Sequence, residues 1–139
     1  MFKRIDHIEI VTNRLEPTIA FYIEVLGFTV GQRDRIARPD GSVLNIAYLG
    51  LGGTTVELMS YDGVPVAPEP ALEHLGYRMM AVEVEDMKEA LAYLKARDIE
   101  PVWGPVYRDN YARAEICDPN GYRIELRHWF SGAFGARRA

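Results

Sequence analysis

The chain has 139 residues, which suits one domain with a real hydrophobic core and is too short for two ordinary domains. Apolar residues make up 48% and charged residues 26% of the sequence, a balance typical of a globular protein and not of a disordered one. Sixteen basic against twenty acidic residues give a net charge of −4, which argues against nucleic acid or another polyanion as a partner.

The single cysteine, Cys117, has no second cysteine with which to form an internal disulfide, so the sequence favours a reducing, cytoplasmic location. The N-terminal residues MFKRIDHIEIV contain no apolar run long enough for a signal peptide or a membrane span. We therefore expect no membrane partner.

The first half of the chain predicts one strand, one helix and three further strands. Apolar and polar residues alternate over residues 4–11, which predicts a strand. Apolar residues at helical spacing then predict a helix over residues 15–26, and Gly27 ends it. Three strands are predicted over 28–35, 43–49 and 54–60, the last two joined at the Gly52-Gly53 turn.

The second half repeats this order after a break. Residues 61–76 contain three of the eight prolines and little periodicity, which indicates a linker. A strand is predicted over Tyr77–Glu85, followed by a helix from about Met87 to Arg97 that Asp86 caps. Short strands are predicted near Pro101–Trp103 and Tyr107–Cys117.

Residues 118–126, DPNGYRIEL, combine a turn with a strand. The turn is favoured because Pro119 presets φ and Gly121 accepts left-handed geometry. The strand after it places Glu125 between two arginines, on the face opposite its apolar residues. The last nine residues, SGAFGARRA, are predicted to be frayed.

Repetition at half the chain length predicts an α+β fold of two βαβββ modules, whose curled sheets form a barrel-like cavity. Module one covers about 4–60, the linker 61–76 and module two about 77–129, within a single domain. The polar faces of the strands are expected to line the cavity with His7, Glu9, Glu57, Met59, Met79, Glu83, Arg123 and Glu125.

One histidine and two carboxylates on separate strands make a candidate metal site. His7 and Glu57 lie on the first and last strands of module one, and Glu125 lies on the last strand of module two. Such a set suits a hard-to-borderline divalent ion. The alternative is that His7 is hydrogen-bonded in a polar interior to Glu57 or Glu125.

The sequence also resembles a known family. The twofold order of elements, with IDHIEIV, AFYIEVLGF, TTVELMS, AVEVEDMKEAL and ICDPNGYRIEL, is similar to the vicinal oxygen chelate superfamily. That superfamily includes glyoxalase I, methylmalonyl-CoA epimerase, extradiol dioxygenases, fosfomycin resistance enzymes and bleomycin-sequestering proteins. The resemblance runs from about Arg4 to Trp129 and is specific for the fold but weak for the reaction. It implies a homodimer.

The resemblance places the family's metal positions on His7, Glu57, Met79 and Glu125. The third of these is usually histidine, and a thioether is a poor substitute for imidazole on a hard ion. Because Met79 removes the set of two histidines and one carboxylate expected of an extradiol iron oxygenase, the sequence argues against iron-dependent ring cleavage. Three possibilities stay open: a metal held by His7, Glu57 and Glu125 alone, a second histidine such as His74, or a site without metal. His128 is expected to point to the other face of its strand.

The roles follow from family chemistry. Glu125 is the first choice for the catalytic base and Glu57 the second, while His7 acts as a pure ligand. The substrate-binding candidates are Arg123, Arg127, Met79 and Tyr48. The two arginines are expected either to lower the pKa of Glu125 and hold an anionic substrate, or to form ion pairs with Glu9, Glu83 or Glu115.

Two classes of function follow. The first is a metal-dependent lyase or isomerase of the glyoxalase or epimerase type, which acts on a small carbonyl substrate through an enediolate. It requires a divalent ion, either Ni, Mn, Fe, Zn or Mg. The alternative is a metal-free protein of the bleomycin-resistance type, which binds or sequesters a small molecule. The three ligand-type residues favour the first class, and Met79 favours the second.

Overall fold

The computed structural model describes residues 1, 3–71 and 73–130, and two helices and eight strands lie within them. In chain order they are β1 (His7–Val11), α1 (Leu15–Glu24), β2 (Thr29–Ala37), β3 (Val43–Leu51), β4 (Thr54–Asp62), β5 (Met80–Glu83), α2 (Met87–Lys95), β6 (Trp103–Tyr107), β7 (Tyr111–Cys117) and β8 (Arg123–Trp129).

The order strand, helix, three strands occurs twice, so the prediction of an α+β fold built from two βαβββ modules is confirmed. The chain divides into two compact units, Met1–Glu69 and Pro70–Ala139, and the division falls inside the predicted linker. Each module has a mixed four-stranded sheet that, in the described residues, is not closed into a barrel. The enclosed cavity and the single domain stay predictions.

In module one the strands lie in the order β1-β4-β3-β2, with β1 parallel to β4 and the other neighbours antiparallel. Val56 and Leu58 are almost fully buried on the face of β4 opposite Glu57, and Leu49 lies beside Val56 on β3. Helix α1 contacts β3 and β4, and its Tyr22 is fully buried. The helix therefore covers the apolar face, and the polar face carries Glu57.

Module two repeats this arrangement in the order β5-β8-β7-β6. Ile116 and Ile124 are paired on β7 and β8, and both are buried together with Leu126. Helix α2 contacts β8, and its first residue, Met87, is fully buried. Glu125 alternates with Ile124 and Leu126, so it lies on the face opposite these apolar residues.

Asp86 caps α2 as predicted. Its carboxylate accepts the backbone N–H groups of Lys88 and Glu89 at 2.8 and 2.9 Å. Those N–H groups have no partner inside the helix, so the cap satisfies donors that would otherwise lack a bond. The hydrogen bonds, led by the one from Glu89, lower the pKa of Asp86.

Asp86→Ala is expected to lower the melting temperature by about 2–5 °C at pH 7, because two N–H groups lose their acceptor. The folded-state pKa of Asp86 is depressed, so the cap contributes fully above the unfolded pKa of about 4 and its contribution is lost as the pH falls through the folded value. Thermal unfolding from pH 7 to pH 2.5 tests both points. Asp86→Asn is the control, since it keeps an oxygen acceptor that does not titrate. An alanine variant as stable as the wild-type protein would contradict the cap.

The turn at residues 118–121 has the predicted form. The Asp118 carboxylate accepts the backbone N–H groups of Asn120 and Tyr122 at 2.8 and 3.0 Å, and Gly121 has a φ of +89°. Only glycine adopts that φ at no steric cost. The turn therefore fixes how β7 and β8 face each other, and with that the position of Glu125.

The predicted strands at Pro101–Trp103 and Tyr107–Cys117 are wrong in their limits. β6 is Trp103–Tyr107, and a turn closed by the bond from the Arg108 N–H to the Tyr111 carbonyl at 2.8 Å separates it from β7. Gly104 and Pro105 are poor strand residues, but β6 accommodates them with an irregular register between Trp103 and Val106.

Other limits move by a few residues. The strand predicted over Tyr77–Glu85 is shorter, at Met80–Glu83, and β4 runs to Asp62, into the predicted linker. The SGAFGARRA segment that was predicted to be frayed lies outside the described residues. Neither helix in the described part of the chain is long and apolar enough to cross a membrane.

Candidate functional site

The strand register of module one brings three polar side chains into one row. Glu57 on β4 lies between Glu9 on β1 and Tyr48 on β3, and the three residues are direct cross-strand neighbours. His7 is two residues before Glu9, so it projects from the same face of the sheet. The expectation that His7, Glu9 and Glu57 share one face of the sheet thus agrees with the structure.

These side chains converge on His7. Its Nε2 atom lies 3.2 Å from Glu57 Oε2 and 3.5 Å from Glu9 Oε1. One ligand atom from each of the three residues lies within 4.8 Å of the others. Glu57 is 5% exposed, whereas Glu9 is exposed to solvent. The cluster is therefore buried at Glu57 and accessible from solvent at Glu9.

Asp6 and Tyr48 flank His7 and Glu57, and the contacts change two pKa values. The Nδ1 atom of His7 lies 3.1 Å from Asp6 Oδ2, and this hydrogen bond, more than the nearby glutamates, raises the pKa of His7. On the other side, burial and then the negative charge of Glu57, its cross-strand neighbour, raise the pKa of Tyr48. The imidazole is thus oriented through Nδ1 and presents Nε2 to the carboxylates.

In module two, the carboxylate that matches Glu57 faces arginines instead of a histidine. On β8, Glu125 is 8% exposed, and its partner across β7 is Glu115, which is 2% exposed. Arg127 donates from Nε to Glu125 Oε1 at 2.7 Å, and Arg113 Nη2 lies 3.1 Å from Glu125 Oε2. Both oxygens of Glu125 are therefore in ion pairs.

Glu115 is held in the same way. Arg113 Nη2 donates to one of its oxygens at 2.8 Å, and Arg123 Nη1 donates to the other at 2.7 Å. Arg78 Nη2 lies 3.8 Å from the first oxygen. The bond to Glu115 raises the pKa of Arg123. We call Arg78, Arg113, Arg123 and Arg127, with the two carboxylates that they surround, the arginine cluster.

Aromatic rings support two of these guanidinium groups. Arg113 lies over the ring of Trp103 at 4.7 Å, and Arg127 lies over Tyr111 at 4.3 Å and Trp129 at 4.8 Å. A guanidinium group above an aromatic face gains cation–π attraction and is restricted in its orientation. The cluster is therefore ordered by stacking as well as by ion pairs.

The remaining candidates take other positions. Met79 is half-buried and directly precedes β5, where Arg78 Nη1 lies 3.4 Å from its sulfur. His74 is exposed, and its ring nitrogens face the backbone carbonyls of Ala71 and Tyr77. His128 accepts the Met87 N–H at 3.3 Å, on the apolar side of its sheet. The expectation that His128 points away from Glu125 thus agrees with the structure.

Of the predicted metal set, the structure brings His7 and Glu57 together within module one, while Glu125 lies in module two among arginines. Arg123 pairs with Glu115, which was one of its expected alternatives.

Some contacts go beyond the sequence prediction. Glu9 joins His7 and Glu57, although the sequence placed it only on the same face. Arg113 and the contact of Glu115 with Glu125 were not anticipated. The alternation along Tyr111–Cys117 places Arg113 and Glu115 on one face of β7. Only the register of β7 with β8 shows that this face lies beside Glu125.

Comparisons with known proteins agree with this architecture. A family model described as Glyoxalase/Bleomycin resistance protein/Dioxygenase superfamily matches residues 4–126. The chain is 32% identical over 127 residues to the Bacillus subtilis (strain 168) protein YwbC, covering 88% of this chain and 86% of that protein.

Two solved structures are similar. A glyoxalase family protein from Bacillus cereus has a TM-score of 0.80 and 23% identity, covering 93% of this chain and 95% of that one. The trypanothione-dependent glyoxalase I of Leishmania major has a TM-score of 0.75 and 27% identity, covering 99% of this chain and 94% of that one.

Proposed function

Because this chain belongs to the Glyoxalase/Bleomycin resistance protein/Dioxygenase superfamily, we propose that it is a metal-dependent lyase or isomerase of the glyoxalase or epimerase type. In this proposal it acts on a small carbonyl substrate through an enediolate. The observation that carries the proposal is the convergence of His7, Glu9 and Glu57, whose ligand atoms lie within 4.8 Å of one another. The likeness to a glyoxalase I at 27% identity supports the same class.

The donor set fits a divalent ion such as Ni, Mn, Fe, Zn or Mg, because one imidazole and two carboxylates are ligands that these ions accept. His7 and Glu57 would hold the ion, with Glu9 in reach and Glu125 as the further ligand in the proposal. Such an ion supplies Lewis-acid stabilisation for the negative charge that develops when a proton leaves a carbon next to a carbonyl.

The protein groups around His7 prepare it for this role. Asp6 lies 3.1 Å from Nδ1, so the imidazole is fixed with Nε2 toward Glu57 at 3.2 Å. A carboxylate on the far nitrogen is the usual device for orienting a histidine ligand. Tyr48 lies directly across from Glu57 on β3 and packs beside it. Loss of either partner would loosen the cluster without removing a ligand.

We assign proton transfer to Glu125, with Glu57 as the second choice. Both oxygens of Glu125 are paired with Arg127 or Arg113, so it accepts a proton only when one of these contacts is released. An anionic substrate that attracts a guanidinium group would favour that release. Arg123 and Arg127 are the proposed groups for such a substrate, and Met79 and Tyr48 are the further contacts.

The first test is metal analysis of protein purified without a histidine tag, with and without added Ni, Mn or Fe. A stoichiometric divalent ion that a chelator removes is the expected result. Protein that neither carries nor takes up an ion at that level would refute the metal-dependent reaction.

A metal-free protein that binds or sequesters a small organic molecule is the second candidate. It is favoured by Met79 at the position where metal-dependent relatives have histidine, and by the arginines that neutralise Glu125. If metal analysis is negative, this candidate becomes the better one. We also propose a homodimer, since modules of this kind commonly pair across subunits in the superfamily, and light scattering tests it.

A further inference from the structure

The arginine cluster holds more positive than negative charge. Its four guanidinium groups surround two carboxylates, so two positive charges have no counter-charge inside it. Glu83 is the neighbour of Arg127 on β5, but it is exposed and forms no ion pair within the described ranges. Glu73 is the last of the groups whose charge raises the pKa of Arg123, and no ion pair joins the two in the described residues. The excess charge is therefore a property of this face of module two.

The guanidinium groups remain within reach of a ligand. The side chains of Arg127, Arg113 and Arg123 are 20%, 25% and 29% exposed, although the carboxylates beneath them are buried. Each guanidinium group has five N–H donors, and one or two are used by the contacts found for each of these three arginines. Unused donors in a fixed, planar arrangement suit the oxygens of carboxylate or phosphate groups.

One of these donors is also unsatisfied. The Nε atom of Arg113 is buried and has no acceptor in the described residues. A buried N–H without an acceptor costs free energy. A ligand oxygen that drew the guanidinium group of Arg113 outward and accepted this N–H would remove that cost.

Comparison of the two modules shows that the fold does not need these arginines. The register aligns Glu57 with Glu125, and at the matching places module one has Ile46 for Arg113, Thr55 for Arg123 and Met59 for Arg127. The sheet of module one forms with apolar or neutral side chains at all three places. The cluster is therefore a feature of this particular face and not a requirement of a βαβββ sheet.

We propose that this face of module two binds a small molecule with two negative charges on oxygen, such as a dicarboxylate or a phosphate monoester. Two uncompensated guanidinium charges match a dianion, and their fixed planes match its oxygens. The anion site stands without metal. Its identification as the substrate site, and of the substrate as dianionic, rests on the proposed function.

Intrinsic fluorescence offers a direct test, because the two tryptophans of the chain are Trp103 and Trp129, the rings beneath Arg113 and Arg127. Protein stripped of metal, and then freed of the chelator, is titrated with sodium malonate, phosphate, acetate or chloride at constant ionic strength. We expect a saturable change with a Kd of about 1 mM or tighter for malonate or phosphate, and binding weaker by about tenfold or more for acetate. Comparison of malonate with phosphate identifies the preferred oxyanion.

Arg123→Gln is expected to weaken binding of the preferred dianion by about tenfold or more. Arg78→Gln provides a second variant whose folding is not in question, because Arg78 is half exposed and its contact with Glu115 is 3.8 Å long; a loss of about threefold or more is expected. Arg35→Gln is the matched control, since Arg35 forms an equally long 3.8 Å ion pair with Asp62 in module one.

Equal responses to malonate and chloride, or undiminished binding in a folded Arg123→Gln or Arg78→Gln protein, would overturn the anion site. Since no metal is present, that result would leave the metal proposal standing. Conversely, a negative metal analysis together with lost binding in the arginine variants would leave the anion site standing.

Discussion

Glu115→Gln is expected to lower the free energy of unfolding by about 3–5 kcal/mol, the range found when one partner of a buried ion pair is removed. Glu115 is 2% exposed, and its oxygens accept from Arg113 at 2.8 Å and Arg123 at 2.7 Å. Glutamine keeps the shape but removes the charge, and its amide N–H groups would face guanidinium donors. Urea unfolding monitored by circular dichroism measures the loss.

Glu83→Gln is the matched control for this experiment. It makes the same chemical change on the same face, but Glu83 is exposed, so a change within about 0.5 kcal/mol is expected. A double-mutant cycle with Arg123→Gln tests the cause. If the cost comes from an unpaired guanidinium group, the double variant should be more stable than the sum of the single losses implies. A loss below about 1 kcal/mol for Glu115→Gln would mean that Glu115 does not organise the arginine cluster.

The elements of this fold follow from local sequence signals. Asp86 and residues 118–121 act through bonds between near neighbours in the chain, so their residue types alone specify the helix start and the turn. Alternation likewise places Glu57 and Glu125 opposite apolar neighbours. The misjudged limits of β6 arise where Gly104 and Pro105 occur inside a strand, because the pairing with β7 overrides their local preference.

The site was harder to predict because it depends on pairing between strands. Glu9 meets Glu57, and Glu115 meets Glu125, only through the registers of β1 with β4 and β7 with β8. A shift of one residue would place either partner on the opposite face. The arginines bound to Glu125 also reach it from two strands. The sequence could therefore nominate Glu125 and a nearby Arg127, but it could not reveal the ion pair with Arg113.

Glu57→Gln is expected to weaken divalent-metal binding by about 100-fold or more, since loss of a ligand should exceed the effect of losing an outer-shell partner. Glutamine keeps the shape of Glu57 and a carbonyl oxygen that accepts hydrogen bonds, so little change in stability is expected. Isothermal titration with the metal found in the purified protein measures the affinity. Glu16→Gln is the control, because Glu16 is exposed in the same module and pairs with Arg33.

Glu125→Gln distinguishes the role of Glu125 from that of Glu57, because it makes the same chemical change at the matching position in module two. If Glu125 is both a ligand and the base, metal affinity should fall by about 100-fold or more, as in Glu57→Gln, and proton exchange at the carbon next to a substrate carbonyl should stop. Proton exchange is followed by NMR in D₂O with the metal-loaded protein and a panel of small α-hydroxycarbonyl compounds. Full retention of affinity and exchange in Glu125→Gln, with affinity lost in Glu57→Gln, would confine metal binding to module one. The arginine pairs of Glu125 would then be structural, and the base would have to be Glu57 or another group.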